Sequence, residues 1–360
     1  MAFSFSKLFS GGGQAVRPTA TVGIDIGSAA IKVAEIEQTE QTLVLRTYGE
    51  LQLGPYDGHN LGESVQLNLQ KKTQAFVDIL RESQVNARHG ALAMPLATSF
   101  MTVVPLTAPP DADIASQIHL EARKYVPLPL ADVSLDWSEL PQPPNRTSRV
   151  REIMLAAIEN SALNDNKSLL DAVGMTGEPT EIESFSLVRA LWKQSDTTLA
   201  IVDIGGKTSK LYIVRGGTLV RIHRVAIGGS LITKRVSDLL HITPSEAEDL
   251  KRNCRENTEE CRDIHKAMAS VIDGPLKEFR RFMSMYETRY GEKIARVVCA
   301  GGVSAAPTFK PYARDQLSRE IEIANPFDKV AYPAFMEDTL TAIGPTFSVS
   351  VGAALREFLY

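Results

Sequence analysis

Hydrophobic residues along the first third of the chain change from strand-like runs to helical spacing and back. Short apolar runs bounded by turn-forming residues are typical of buried strands, whereas apolar residues three and four apart indicate one face of a helix. The helical spacing covers Glu63–Gln84, and the runs cover Val22–Ile26, Ile31–Ile36, Thr42–Leu53, Ala91–Met94 and Phe100–Leu106. The chain is therefore expected to open with three strands followed by a helix.

Prolines punctuate the next segment of the chain. They surround one amphipathic helix, Ile114–Tyr125, and two strands, Ser134–Leu140 and Val150–Ala157. A helix with strands before and after it is enough for a compact small subdomain, so we expect an insertion within the first lobe. Helix Ser161–Val173 and a strand near Pro179–Glu183 then return to the parent lobe.

The second half of the chain repeats the three-strand opening of the first half. The predicted strands are Leu199–Ile204, Ser209–Val214 and Leu219–Ala226, with a later one at Ala295–Ala300. Helical spacing marks Leu231–Leu239, Ser245–Asn253, Thr258–Arg289, with a possible break at Gly274 and Pro275, and a closing helix at Thr346–Phe358. Two related α/β lobes are expected from this repetition.

Two segments, one in each half, are copies of one hairpin. When they are aligned, Asp25 falls on Asp203, Gly27 on Gly205 and Lys32 on Lys210, each pair being 178 residues apart. Either copy alone can be a simple β-turn. Two copies in register, half a chain apart, predict two loops that offer phosphate contacts to one ligand.

The chemistry of these loops suits a nucleotide. Gly27 permits a tight turn, and the N–H groups of Ser28 and Ala29 can then face an anion. Asp25 and Asp203 are candidate Mg²⁺ ligands, generally through water, because this hard cation keeps most of its hydration shell and takes one or two carboxylates plus phosphates.

The second loop does not contain a P-loop, although it reads Gly206-Lys-Thr208. That motif needs a glycine at position 201, which is Ile, and its lysine opens a helix, whereas here a strand resumes. The sequence leaves two interpretations of Lys207 open: it contacts phosphate, or it is a solvated side chain at the tip of the hairpin.

Two further features are candidates for the base and ribose. Gly301 and Gly302 follow a predicted strand, and paired glycines allow the backbone to approach a flat base; a plain strand-to-helix turn explains them equally well. Glu248 and Lys251 share one helix face and can bind ribose hydroxyls and the base, or form only a surface ion pair.

Composition narrows the function classes. The 360 residues carry a net charge of −4, so no nucleic-acid partner is expected. Cys254, Cys261 and Cys299 do not form a disulfide framework, and together with the absence of a signal peptide or apolar span they indicate a reducing cytoplasm. Residues 1–19 are expected to be a flexible tail.

The motifs together resemble the PilM family, the actin-like proteins of type IV pilus assembly and relatives of the cell-division protein FtsA. Two aspartate hairpins and a strand ending in paired glycines are similar to the actin, Hsp70 and sugar-kinase superfamily as a whole. The stretch Gln117–Pro129 with Leu135–Trp137 is the most discriminating, because sugar kinases and Hsp70 lack it. Other matching stretches are Gly23–Val33, Arg224–Gly229 with Ala247–Lys251, and Gly344–Arg356.

This resemblance implies an α/β, actin-like (ribonuclease H-like) two-lobed ATPase fold, with an FtsA-type 1C subdomain inserted in lobe 1. It implies subdomain 1A at 20–84 and 159–196, 1C at 85–158, 2A at 197–240 and 293–360, and 2B at 241–292. It also implies ATP or ADP with Mg²⁺ in the cleft. The implied contacts are Asp25, Gly27, Ser28, Ala29, Lys32, Asp203, Gly205, Gly206, Lys207, Thr208, Glu248, Lys251, Gly301 and Gly302.

The partners implied by the resemblance follow from the same family. They are the cytoplasmic N-terminal peptide of PilN, captured beside Tyr125, Val126 and Pro127, and through it the PilN/PilO/PilP alignment complex at the inner membrane. Contact with the pilus motor ATPases and self-association stay open. The second loop departs from the family pattern, which is commonly Asp-Ile-Gly-Ala/Ser-x-x-Thr-Asn, because this chain reads Gly206-Lys-Thr-Ser-Lys210 and carries two lysines, Lys207 and Lys210.

Two rival interpretations share the fold. A small-molecule kinase needs a catalytic base, for which Glu183 and Asp136 are the candidates. The cytoplasmic part of a type II secretion L-type protein is expected to continue into a membrane helix, which is not seen before Tyr360. Whether ATP is hydrolysed stays open, because no water-positioning Glu or Gln stands out.

Overall fold

The protein is described by a computed structural model that covers residues 18–109, 113–142, 150–178, 181–195, 197–254 and 259–359. The tail predicted for residues 1–19 lies outside these ranges except for Pro18 and Thr19. No helix in the described ranges is long and apolar enough to cross a membrane.

The strands fall close to their predicted positions, except for the short last strand, which was not predicted. They are β1 Ala20–Ile26, β2 Ala30–Gln38, β3 Leu43–Gln52, β4 His89–Met94, β5 Ser99–Thr107, β6 Val133–Glu139, β7 Val150–Glu159, β8 Glu181–Ile182, β9 Thr198–Ile204, β10 Ser209–Arg215, β11 Thr218–Val225, β12 Arg296–Ala300 and β13 Glu322–Ile323. The helices are α1 Leu69–Glu82, α2 Ala115–Tyr125, α3 Asn160–Ala172, α4 Glu183–Leu191, α5 Gly229–Leu240, α6 Pro244–Asn253, α7 Glu259–Tyr290, α8 Phe309–Leu317 and α9 Glu337–Ala354.

Two five-stranded sheets repeat one topology. The first has the order β3-β2-β1-β4-β8 and the second has the order β11-β10-β9-β12-β13. In each, two antiparallel hairpins lead into a parallel pairing of the central strand with a later one. We call them the first and second lobes, and the prediction of two related lobes is confirmed.

A third, three-stranded sheet lies between the halves in sequence. Its order is β5-β7-β6, all antiparallel, and α2 covers one face. Val104, Ile118, Ala122 and Ile153 form its own small core. This small subdomain is the predicted insertion.

Helices α4 and α9 pack against each other at the join of the lobes. Gly352 and Gly23 permit the close contacts that α9 makes, because a Cβ at Gly352 would lie 1.8 Å from the Ser186 carbonyl oxygen and one at Gly23 would lie 1.8 Å from that of Ser350. Gly301 N–H also donates to the Pro345 carbonyl at 2.9 Å, which ties α9 to the second lobe. Both sheets are therefore held against one helix.

Several helix predictions were wrong in extent. Helix α1 begins after Asn68, whose side chain accepts the Lys71 N–H and caps it, instead of near residue 63. The closing helix starts at Glu337, and helices α4 and α8 were not predicted at all. The break proposed at Gly274 and Pro275 is absent. Helix α7 continues through Pro275, and burial of its apolar face stabilises the helix there.

The cysteine prediction was also wrong. Cys254 and Cys261 are joined by a disulfide, while Cys299 is a buried free thiol. Cys254 directly follows α6 as its C-cap, and Cys261 lies in the first turn of α7. The proximity of these two helix ends was not visible from sequence spacing alone.

Candidate nucleotide cleft

The two copied hairpins adopt the same geometry. Asp25 pairs with Lys32 across β1 and β2, and Asp203 pairs with Lys210 across β9 and β10. Each turn closes through one bond of 3.0 Å, from Gly27 N–H to the Ala30 carbonyl in the first and from Gly205 N–H to the Thr208 carbonyl in the second. The sequence alignment of the two loops thus describes their real structural equivalence.

The tips of the two loops meet across the lobes. A Cβ built on Gly206 would lie 3.0 Å from the Oγ atoms of both Ser28 and Ser64, and 3.3 Å from the Ala29 methyl. The Ser64 hydroxyl lies 3.1 Å from that of Ser28 and 2.7 Å from that of Ser230 in the second lobe. Ser64 therefore bridges the lobes between the two loops.

The N-terminus of α5 lies against the second loop. Gly229 N–H donates to the Gly205 carbonyl at 2.8 Å and Ser230 N–H donates to the Gly206 carbonyl at 2.9 Å. Gly228 permits this approach, since its Cβ would lie 2.6 Å from both carbonyl oxygens. The positive end of the helix dipole consequently lies beside the loop, which favours an anionic ligand there.

The paired glycines at 301 and 302 lie beside the same loop. Gly301 has φ +85°, and a Cβ there would lie 2.4 Å from the Ile204 carbonyl oxygen and 2.7 Å from Asp203 Oδ1. Only glycine fits this backbone conformation and this close approach. The structure therefore brings the third predicted loop next to Asp203.

Glu248 and Lys251 lie behind α5 rather than on the surface. Glu248 is buried and accepts from Lys251, from Thr233 Oγ1 at 2.6 Å and from Arg252 Nε at 2.8 Å. Burial opposes ionisation of Glu248, but the Lys251 ammonium and these hydrogen bonds lower its pKa to about 2. Arg252 also donates to Glu50 of the first lobe at 3.0 Å, so this network crosses the cleft.

A buried cluster forms the floor of the cleft. Lys210 Nζ donates to Glu183 Oε1 at 2.9 Å and to Asp203 Oδ2 at 3.2 Å, and the three side chains are 9–11% exposed. Burial opposes the charge on Lys210, but Glu183 and then Asp203 raise its pKa well above its usual value. Glu183 is the first residue of α4, so the cluster joins the two lobes.

Asp25 has a different environment from its copy. It faces Lys32, whose Nζ lies 4.0 Å from Asp25 Oδ2. Burial raises the pKa of Asp25 from 3.8 to about 6, and the lysine offsets only part of this effect. The two equivalent aspartates are thus unequal in electrostatic terms.

The other predicted residues of the second loop lie at its tip. Lys207 is exposed and Thr208 is half-buried. Sequence reasoning missed the roles of Ser64, Ser230 and Arg252, which hold the lobes together. Gly62 has a positive φ, which lets its segment pass close to Glu248 and brings Ser64 to the cleft. The glycines near Ser64 were the sequence signal that could have revealed this path of the chain.

The residues predicted to contact a peptide lie at the end of α2 and just beyond it. Tyr125 and Pro127 are exposed, whereas Val126 is buried in the core of the small subdomain. Leu120 and Leu128 are also exposed, by 61% and 40%. Exposed apolar side chains so close in sequence mark this end of α2 as a candidate interaction surface.

An ion pair joins the small subdomain to the second lobe. Glu152 of β7 accepts two bonds of 2.6 Å from Arg221 of β11, and it accepts a third of 2.8 Å from the Tyr290 hydroxyl. The Arg221 guanidinium also stacks over the Tyr290 ring at 4.8 Å. We call these three residues the latch.

Comparisons with known proteins agree with this architecture. A solved structure of a PilM–PilN type IV pilus biogenesis complex matches with a TM-score of 0.77 and 21% identity, covering 95% of this chain and 99% of that one. MreB 5 of Spiroplasma citri, solved with bound AMPPNP, matches with a TM-score of 0.50 and 13% identity, covering 92% and 94%. These likenesses establish the actin-like ATPase fold.

A sequence relative and a family model add the identity. Cell division protein FtsA of Rhizobium meliloti (strain 1021) is 26% identical over 220 residues, which are 54% of this chain and 48% of that protein. The chain thus spans about half the length of this curated relative. The family model for type IV pilus assembly protein PilM matches residues 23–358. This match covers nearly the whole chain, which therefore belongs to the PilM family of type IV pilus assembly proteins.

Proposed function

We propose that this chain is an ATP-binding scaffold of the type IV pilus machine. Membership of the PilM family supports a role in the type IV pilus machine, and the two copied hairpin loops support a nucleotide as the ligand. In this proposal the cleft takes ATP or ADP, and the small subdomain takes the cytoplasmic N-terminal peptide of PilN. The division into subdomains 1A, 1C, 2A and 2B belongs to the same proposal.

The observation that carries the nucleotide proposal is the pair of facing loops. The N–H groups of Ser28 and Ala29, and of Gly206 and Lys207, donate no hydrogen bond within the described residues. Such donors at a turn suit phosphate oxygens, and the N-terminus of α5 adds to their positive potential. Phosphate that enters between the loops would replace the hydroxyl bridges of Ser64.

The base and ribose would lie towards the other predicted contacts. Gly301 and Gly302 provide a backbone surface without side chains, and Glu248 with Lys251 provides polar groups. Lys32 and Thr208 lie at the ends of the loops, where they are proposed to contact phosphate. Binding of this kind needs no turnover, and the proposal does not include ATP hydrolysis.

Magnesium, which the resemblance implies, does not fit the carboxylates as they stand. Asp203 already shares the Lys210 ammonium with Glu183, and Asp25 faces Lys32. No three His, Cys, Asp or Glu side chains in the described ranges come close enough together to hold a metal ion. No step of the proposed function therefore depends on a bound divalent cation.

The PilN peptide is proposed to contact the exposed end of α2, at Tyr125 and Pro127. Leu120 and Leu128 add apolar anchors, while Val126 supports the site from the core. Through PilN the chain would join the PilN/PilO/PilP complex and stay cytoplasmic, peripheral to the inner membrane. Motor ATPases and further copies of the chain are candidate additional partners.

The latch provides a physical connection between the nucleotide cleft and the proposed peptide site. A ligand shifts a conformational equilibrium only by its differential affinity for the two states. ATP that favours closure of the lobes would act on the small subdomain through Glu152 and Arg221, because these residues join it to the second lobe. Nucleotide would thereby tune peptide capture.

The kinase alternative has no supporting observation in the cleft. Asp136 lies on β6 in the small subdomain, and its Oδ1 accepts from the Trp137 N–H. Glu183 does lie in the cleft, but it accepts from Lys210 and from the Leu96 N–H at 2.9 Å. Both donors bond to the same Oε1 atom, so Glu183 already has protein partners in place of a substrate hydroxyl.

Fluorescence anisotropy with a labelled PilN N-terminal peptide tests the partner assignment. The variants Tyr125→Ala and Leu120→Asp should each weaken binding by about tenfold or more, since they remove exposed anchors. Leu239→Asp, at a 48% exposed position on α5, is the matched control and should bind like wild type. Equal affinity in all four proteins would refute this peptide site.

A further inference from the structure

The ammonium of Lys210 lies where the acidic side chains of the cleft converge. Its two hydrogen bonds reach carboxylates that are far apart in sequence, Glu183 on α4 and Asp203 on β9. Glu183 is held in place by the Leu96 N–H, which donates to the same Oε1 atom. The lysine is therefore fixed by both lobes, and its side chain is only 9% exposed.

Lys210 engages Asp203, which is one of the two candidate metal ligands, together with the neighbouring carboxylate of Glu183. The ammonium bonds to one oxygen of each carboxylate, so a metal ion shared by these two groups would lie against a fixed, buried positive charge. An ammonium has three donors, of which two are used within the described residues, and the third is left for another acceptor. A phosphate oxygen between the loops is such an acceptor, and lysine binds phosphate as a point charge.

We propose that Lys210 is a built-in cation that takes the place of the divalent metal, so that the cleft binds a nucleoside diphosphate or triphosphate without metal. The inference rests on the proposed nucleotide function, which it deepens. The first loop lacks an equivalent, because Lys32 lies 4.0 Å from Asp25 and forms no hydrogen bond to it within the described residues. The exchange of metal for lysine is therefore specific to the second loop.

The first test measures the metal alone. Mn²⁺ binding is followed by electron paramagnetic resonance in wild type, Lys210→Gln and Lys210→Arg. Lys234→Gln removes the same charge from an exposed position on α5 and serves as the control. Lys210→Gln should gain one Mn²⁺ per chain relative to the other three proteins, because it frees Glu183 and Asp203.

This result does not depend on nucleotide binding. The charge-preserving Lys210→Arg variant should fold and bind no added Mn²⁺. If the neutral variant unfolds, the wild-type titration still decides, because the proposal predicts that wild type binds no Mn²⁺ in the cleft. A wild-type protein that binds one Mn²⁺, lost on Asp203→Ala, would overturn the proposal. So would a folded Lys210→Gln protein that binds no more Mn²⁺ than wild type.

The second test measures ATP by isothermal titration calorimetry in excess EDTA and in excess Mg²⁺. Wild type and Lys234→Gln should bind equally in both buffers. Lys210→Gln should bind about tenfold more weakly in EDTA and recover in Mg²⁺, tenfold being about 1.4 kcal/mol. If wild type binds ATP in Mg²⁺ but not in EDTA, the proposed role of Lys210 is overturned. If wild type binds ATP in neither buffer, the proposed nucleotide function is refuted, and the Mn²⁺ measurement alone decides on Lys210.

Discussion

Replacing Asp25 by asparagine should stabilise the protein. The Asp25 carboxylate ends β1 in a largely buried position, 14% exposed, with the Lys32 ammonium 4.0 Å away. Burial is the main cause that raises its pKa from 3.8 to about 6. Asparagine keeps the shape of the side chain and carries no charge, so it avoids the desolvation of the carboxylate.

The sign and size of the effect follow from this pKa. A group whose pKa is higher in the folded state contributes stability that is complete below its unfolded pKa and is lost as the pH rises through the folded value. A shift from 3.8 to about 6 corresponds to about 3 kcal/mol at about 1.4 kcal/mol per pKa unit. Allowing for partial solvation, we expect Asp25→Asn to raise the free energy of unfolding by about 1–3 kcal/mol above pH 7.

Urea unfolding followed by circular dichroism measures this difference. The gain for Asp25→Asn over wild type should be full at about pH 8 and should vanish only at about pH 3, below the unfolded pKa of 3.8, where Asp25 is neutral in both the folded and the unfolded state. Asp203→Asn is the matched control from the other hairpin. It should destabilise by about 1.5–3 kcal/mol, because Lys210 loses a charged acceptor in a buried cluster.

Two results would refute this reasoning. A destabilised Asp25→Asn protein at about pH 8 would mean that the carboxylate makes favourable contacts that outweigh its burial. A gain that is equal at low and high pH would mean that ionisation is not its cause. If the prediction holds, the first loop retains an acidic residue at the expense of stability, as functional sites often do.

Three further variants test other parts of the account. Glu248→Gln should lower the free energy of unfolding by about 2–3 kcal/mol at neutral pH, because the folded pKa of Glu248 is depressed to about 2. The loss should shrink as the pH falls from about 5 towards 2, and urea titrations across that range measure it. Gly301→Ala should destabilise by about 1–3 kcal/mol and lower the melting temperature, since its Cβ would meet the Ile204 carbonyl at 2.4 Å. Glu152→Gln should keep peptide binding but reduce its response to ATP, because the charged bonds to Arg221 are lost; anisotropy titrations with and without ATP would show an unchanged response if the latch were irrelevant.

The repeated hairpin was predictable because its information is local. Continuous apolar runs fix the strands, glycine fixes each turn, and the spacing from Asp25 to Lys32 and from Asp203 to Lys210 fixes the cross-strand pairs. The discriminating stretch around Tyr125 likewise needed no tertiary contact to be recognised. Fold and family could therefore be inferred before the structure was known.

The parts that sequence reasoning missed depend on contacts between distant segments. Glu183 and Lys210 are 27 residues apart and meet only because α4 begins at the cleft floor. Ser64 was assigned to a helix, but α1 begins five residues later, at Leu69, and the extended segment carries the serine between the loops. The disulfide between Cys254 and Cys261 was missed because helix ends, not spacing, bring the two together.

The central claim is that nucleotide in the cleft tunes capture of the PilN peptide. The most direct measurement is the affinity of a fluorescent PilN N-terminal peptide for wild type and Gly206→Val, each with and without saturating ATP, in magnesium-containing buffer so that the role of Lys210 does not affect the result. The valine side chain would fill the space between the two loops, because a Cβ at Gly206 already lies 3.0 Å from the Oγ atoms of Ser28 and Ser64. We predict that ATP changes the wild-type affinity by several-fold, about 1 kcal/mol or more, and has no effect on Gly206→Val. Identical affinities in all four titrations would contradict the claim.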